Sequence, residues 1–172
     1  LLLQKLDGIY GAVNRISALR ALYTQIAVDL YYESGDGSYL EKLKRLYRSN
    51  SLAGNDAAYL YGLFSVQIAE SNFTAAEETL KRLQAQEINR IRLLDLEADL
   101  ALSNNELSKA IEIYKKLLKL KISGHNYYNL SLAYWYGGDN AKARTALEKA
   151  IQLSPSFFKA HRLYGAIALN EG

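Results

Sequence analysis

Leu2, Leu6, Ile9, Val13 and Ile16 stand three or four positions apart, the stripe that one face of an α-helix makes. The same helical periodicity continues along the chain, and its polar breaks share a frame. Ser71-Asn72-Phe73-Thr74-Ala75-Ala76, Asn105-Glu106-Leu107-Ser108-Lys109-Ala110 and Gly138-Asp139-Asn140-Ala141-Lys142-Ala143 align on their final alanines, which are 34 and 33 positions apart. A large residue follows each alanine four positions later: Leu80, Tyr114 and Leu147. That period is the spacing of stacked helix-turn-helix units. A single proline in 172 residues leaves long helices uninterrupted. The pattern predicts an all-α chain of about ten helices, an α–α solenoid in which antiparallel helix pairs stack into a superhelix.

The last full unit carries the most explicit pattern: Tyr127, Leu130, Ser131, Tyr134, Gly138, Ala143, Leu147, Ala150 and Pro155. In order and spacing it resembles the tetratricopeptide (TPR) repeat. Small residues at Ser131 and Ala143 let two helices approach, and Tyr127, Leu130, Tyr134 and Leu147 fill the space around them. Gly138 supplies the freedom to turn, and Pro155 is expected to preset the first turn of the next helix. The chain then reads as one domain, 1–172. Residues 1–16 form a capping helix, 17–50 a degenerate repeat with Gly35-Asp36-Gly37 at its turn, and 57–88, 91–122 and 124–157 the repeats. Residues 158–172 form a terminal helix over the open end. Capping boxes are expected at Ser38 with Glu41 and at Thr74 with Glu77.

A second resemblance concerns residues 57–170. Tyr61-Gly62, Phe73-Thr74-Ala75-Ala76-Glu77 with Leu80, then Asn129-Leu130-Ser131-Leu132-Ala133-Tyr134 and Gly137-Gly138 are similar to the C-terminal TPR domain of bacterial HExxH zinc metalloproteases of the BepA type. The resemblance implies a periplasmic or cell-envelope protein whose zinc and catalytic domain precede this segment. The alternative is a free-standing adaptor or assembly lipoprotein without protease activity. The chain opens Leu1-Leu2-Leu3 and has no methionine, so it reads as a piece of a longer protein whose targeting signal lies elsewhere.

Composition narrows the chemistry. Without cysteine, disulfides and thiolate zinc sites are excluded. His125 and His161 are the only histidines, one repeat apart, with no HExxH, so no cofactor is assigned to this chain. No phosphate-binding glycine loop or nucleophile elbow is present, and the chain is not expected to be an enzyme. A net charge of +3 gives no ground for a nucleic-acid partner, and no apolar run is long enough for a membrane span.

What remains is a surface for a protein or peptide. Carried over from the TPR family, groove-lining positions fall on Tyr61, on Arg92, Asp95 and Asp99, and on His125, Tyr128, Leu132, Trp135 and Tyr136, with Gln25, Asp29 and Tyr32 in the degenerate unit. The groove would be aromatic with an acidic middle, whereas Lys81, Arg82, Lys115, Lys116 and Lys119 crowd the second helices. Two readings of the aromatics stand side by side: ligand anchors, or half-buried packing between helices. The Lys/Asn/Arg clamp that some TPR domains use for a terminal carboxylate has no counterpart at the matching positions.

Overall fold

The computed structural model of the protein describes residues 17–34, 36–48, 57–86 and 88–171. Among them are nine α-helices and no strand. They are α1 (Ser17–Ser34), α2 (Ser38–Arg48), α3 (Ala57–Ala69), α4 (Phe73–Gln84), α5 (Arg90–Ser103), α6 (Leu107–Leu120), α7 (Gly124–Tyr136), α8 (Asn140–Leu153) and α9 (Phe158–Glu171). The capping helix expected over 1–16 lies outside the described residues. Where the sequence reads as one domain, the chain divides into two compact units, Leu1–Ile88 and Asn89–Gly172.

In the first unit α3 packs against α1, α2 and α4. Tyr23, Leu43, Leu46, Leu60, Phe64, Ala76, Leu80 and Leu83 are its buried centre. Tyr47 ties three helices together. Its hydroxyl pairs with the Thr24 hydroxyl at 2.6 Å, its carbonyl accepts the Tyr59 hydroxyl at 3.1 Å, and its ring meets the Tyr59 ring edge-on. A Cβ on Gly62 would run into the Tyr47 hydroxyl, so α3 comes this close only because that position has no side chain.

In the second unit α5 pairs with α6, α6 with α7, α7 with α8 and α8 with α9. One core cluster holds Ala98, Ala101, Ala110, Ile113, Tyr114, Leu117, Leu130 and Ala133. A second holds Ala143, Leu147, Ala150, Ala160, Leu163 and Ile167. The small residues of the repeat pattern sit at the crossings: Ala98, Ala110, Ser131 and Ala143 have no exposed surface.

The turns within repeats are built alike. Ser71, Asn105 and Gly138 each take left-handed backbone, with φ of 56, 60 and 79°. In each case the following residue donates its N–H to a carbonyl five positions back: Asn72 to Gln67 at 2.9 Å, Glu106 to Ala101 at 2.8 Å, and Asp139 to Tyr134 at 2.9 Å. These are the paired bonds of a Schellman helix end. That same residue is also the cap of the next helix. Asn72 accepts the Ala75 N–H and Asp139 the Lys142 N–H, while Glu106 takes Asn104 and Lys109 instead.

Three expectations need correction. Asn72, not Thr74, caps α4, because the positive φ at Ser71 leaves Asn72 outside the helix with its side chain over the first turn. Ser38 opens α2 as a helical residue, and its N–H donates to the Asp36 carboxylate at 2.9 Å. Pro155 precedes α9 rather than starting it. It is the second residue of the turn closed by the Phe157 N–H on the Ser154 carbonyl at 2.9 Å, where its fixed φ fits.

Candidate functional site

The residues singled out by register fall in both units. Tyr61 is half-buried on α3 of the first unit, where its carbonyl accepts the Ser65 hydroxyl at 3.0 Å. Gln25, Asp29 and Tyr32 lie on α1, and their side chains are outside the described residues. Arg92, Asp95 and Asp99 lie on α5, and Tyr128, Leu132, Trp135 and Tyr136 on α7, all in the second unit.

Asp99 is the best-connected of them. Its Oδ1 accepts the Tyr114 hydroxyl of α6 at 2.7 Å and the Asn129 amide of α7 at 3.3 Å. The same Asn129 nitrogen lies 3.3 Å from His125 Nε2. One carboxylate therefore joins three helices. Burial, and secondarily the Asp95 charge one turn away, push its pKa up to about 7, against the Tyr114 hydrogen bond, which lowers it. Burial also raises Asp95, while His125, Arg92 and Lys121 pull it down. Asp95 Oδ1 is buried and accepts no hydrogen bond among the described residues. Burial above all, then the Asp99 charge, raises the Tyr114 hydroxyl, so it stays a donor.

From His125 the cluster continues into aromatic surface. The His125 ring stacks on Phe157 at 6.2 Å between centroids, and Tyr128 tilts against Phe157 at 5.0 Å. Burial raises the Tyr128 hydroxyl pKa, with the Arg162 charge lowering it and Tyr136 adding to the rise. Two turns along α7, Trp135 and Tyr136 lie 5.3 Å apart. Tyr128, Leu132 and Trp135 are half-buried against the α8–α9 core, while Tyr136 is 56% exposed. The packing reading thus describes Tyr128, Leu132 and Trp135, which lie partly buried against the core.

Register reasoning missed the parts that link these residues. Tyr114 read as the large residue of its repeat and Asn129 only as the start of a motif in the second resemblance. The readable signal was the spacing of His125 and Asn129, four apart on one face of a helix. The two histidines have separate partners, His161 Nε2 lying 2.9 Å from the Pro155 carbonyl oxygen. Among the described residues no group of three or more His, Asp or Glu is placed to hold a metal ion, and no helix is long and apolar enough to cross a membrane.

A family model, the tetratricopeptide repeat, matches residues 124–157. Solved structures of MamA share the fold. The MamA 41-end structure from Desulfovibrio magneticus RS-1 is 20% identical with a TM-score of 0.57, covering 87% of this chain and 84% of that one. A MamA crystal structure is 22% identical with a TM-score of 0.56, covering 87% and 83%. Residues 124–157 match the tetratricopeptide repeat, and the chain shares its all-helical fold with MamA.

Proposed function

We propose that the chain holds a peptide segment or helix of a partner protein against α7, with Tyr128, Leu132, Trp135 and Tyr136 as contact surface and Asp95, Asp99 and Arg92 beside it. The observation that supports this most is the continuity of the surface. Asp99 is bound through Asn129 to His125, His125 stacks on Phe157, and Phe157 carries Tyr128. Aromatic anchors on a rigid helix give large contact area at small entropic cost. The buried, unpartnered Asp95 oxygen favours a ligand that brings a donor, a basic or amide-rich segment.

The chain itself needs no zinc for this. Its wider setting, as the tail of an envelope zinc metalloprotease or as an adaptor without protease activity, rests on the sequence resemblance. The parent gene decides it: an HExxH helix upstream supports the first, a lipoprotein signal alone the second.

Trp135→Ala tests the surface. Titrated with synthetic peptides graded from basic to acidic, the native chain should favour basic ones, and the variant should lose about 2 kcal/mol of affinity, roughly thirtyfold, while keeping its helical signal. A variant that melts much earlier yet binds normally where folded makes Trp135 a packing residue and removes the proposal.

A further inference from the structure

The two ends of the second unit differ in charge and in surface. At the turns within repeats, each carboxylate has its own lysine: Glu106 pairs with Lys109 and Asp139 with Lys142. The stretches between repeats lie at the other end. Residues 113–125 and 149–157 hold Lys115, Lys116, Lys119, Lys121 and Lys149, and neither stretch contains Asp or Glu. Neither Lys119 nor Lys121 is in an ion pair among the described residues. The start of α7 brings the two stretches together. A Cβ on Gly124 would stand 2.7 Å from the Ser154 hydroxyl and 3.0 Å from the Ala150 carbonyl at the end of α8. Three aliphatic side chains stand out at this rim: Leu120 is 55% exposed, Ile122 68% and Leu153 46%. Leu120 and Ile122 lie between two complete hairpins, α5–α6 and α7–α8, so stacking of repeats leaves them bare. Leu153 is the counterpart of Leu120, 33 positions on.

We infer that this rim rests on an anionic lipid bilayer, with Leu120, Ile122 and Leu153 in the headgroup layer and Lys119 and Lys121 on the lipid phosphates. Lysines at the end of α6 suit the helix dipole by themselves. That does not account for aliphatic side chains left bare between them, in the run Lys119-Leu120-Lys121-Ile122. The shape separates a bilayer from a protein. Leu120 and Leu153 close their helices and Ile122 follows in the connection, so the three stand on protruding ends rather than along a groove. A protruding aliphatic tip enters a soft interface directly, whereas a protein would have to supply a pocket for each one. The lysine stems lie along apolar surface while their ammonium groups stay at the phosphate level. Anionic headgroups attract both charges. The Lys121 charge also acts on Asp95 of α5, whose Oδ1 is buried. A second copy laid on this rim would set like charges together.

The test uses the whole chain sedimented with vesicles of phosphatidylcholine, alone or mixed with about one third phosphatidylglycerol. The anionic vesicles should bind at least about tenfold tighter than the neutral ones, and added salt should weaken them. Lys119→Gln with Lys121→Gln should cost about fivefold per lysine, about thirtyfold for the pair. Leu120→Ser with Ile122→Ser should cost about tenfold or more without changing the charge. All four positions are exposed, so circular dichroism melts should stay close to native. The chain has no cysteine, so single ones can carry an environment-sensitive dye. Dye on Ser156→Cys, at the rim, should shift to the blue on anionic vesicles, while dye on Ser108→Cys, at the start of α6, should not. Tyr136→Ala, on the α7 surface, should leave vesicle binding unchanged, which separates it from the groove. Absence of binding, equal binding to both vesicles, or indifference to either double substitution overturns the proposal. So does an equal response of the two dyes, or a preference for a Glu-rich peptide over anionic vesicles, which would assign the rim to a protein.

Discussion

Ser71, Asn105 and Gly138 occupy the same place in successive turns, and each holds a backbone conformation that only glycine adopts without steric cost. The Schellman bonds on either side fix that conformation, so the residue in the middle has to accept it. Asparagine tolerates it better than serine does. Ser71→Gly is therefore expected to stabilise the protein by about 0.5–1 kcal/mol, read from the midpoint of urea unfolding at unchanged slope. An unchanged or lower midpoint would mean that the Ser71 side chain contributes something its backbone does not show. Only Gly138 was readable from the sequence as a turn residue on its own account. Ser71 and Asn105 announce the turn only through alignment with it, since serine and asparagine carry no unique backbone signal. Gly62 was less legible still. It read as part of a Tyr-Gly pair, while its physical reason, the Tyr47 hydroxyl, sits on another helix.

Between elements, the Asp99 carboxylate is the feature with the largest consequence for pH. Its folded-state pKa, about 7, is raised above the ordinary carboxylate value of the unfolded chain, so between roughly pH 4 and 7 the folded state holds a proton that the unfolded state has lost. That contribution to stability is present in full below the unfolded pKa and fades as pH rises through 7. Asp99→Asn keeps an acceptor oxygen for Tyr114 and Asn129 but cannot ionise. The melting temperature of the native protein should fall from pH 5 to pH 8 by more than that of the variant. Parallel curves for the two would exclude Asp99 as the titrating group. Here the sequence showed the two α5 carboxylates on one face but not the hydrogen bonds, because Tyr114 has the size and position of a core residue and its hydroxyl leaves no periodic mark. Helix identity was far more legible: 33- and 34-residue spacing and small residues at crossings depend on backbone geometry that every repeat must satisfy.

At the scale of the whole chain, periodicity alone could not reveal the division at Ile88 and Asn89, because the repeat pattern runs through it unchanged. Each unit has its own buried residues, and Trp135, the only tryptophan, reports on the second alone. Gly62→Ala forces Tyr47 out of a buried site bonded to Thr24, at a cost of about 1–3 kcal/mol, in the first unit alone. Its far-UV melt should begin earlier than that of the native chain while the tryptophan fluorescence transition stays in place. Equal shifts of both signals would show the chain to unfold as one body. The turns set one more condition on the molecule. The residue that closes one helix end, Asn72, Glu106 or Asp139, is also the first residue before the next helix, so no spare residue separates the two. An inserted amino acid there would break the closing bond or the start of the next helix. The stretches after Gln84, Leu120 and Leu153 carry no such double duty. Natural length variation should collect in those stretches, leaving the hairpin itself a fixed unit of measure in the protein's evolution.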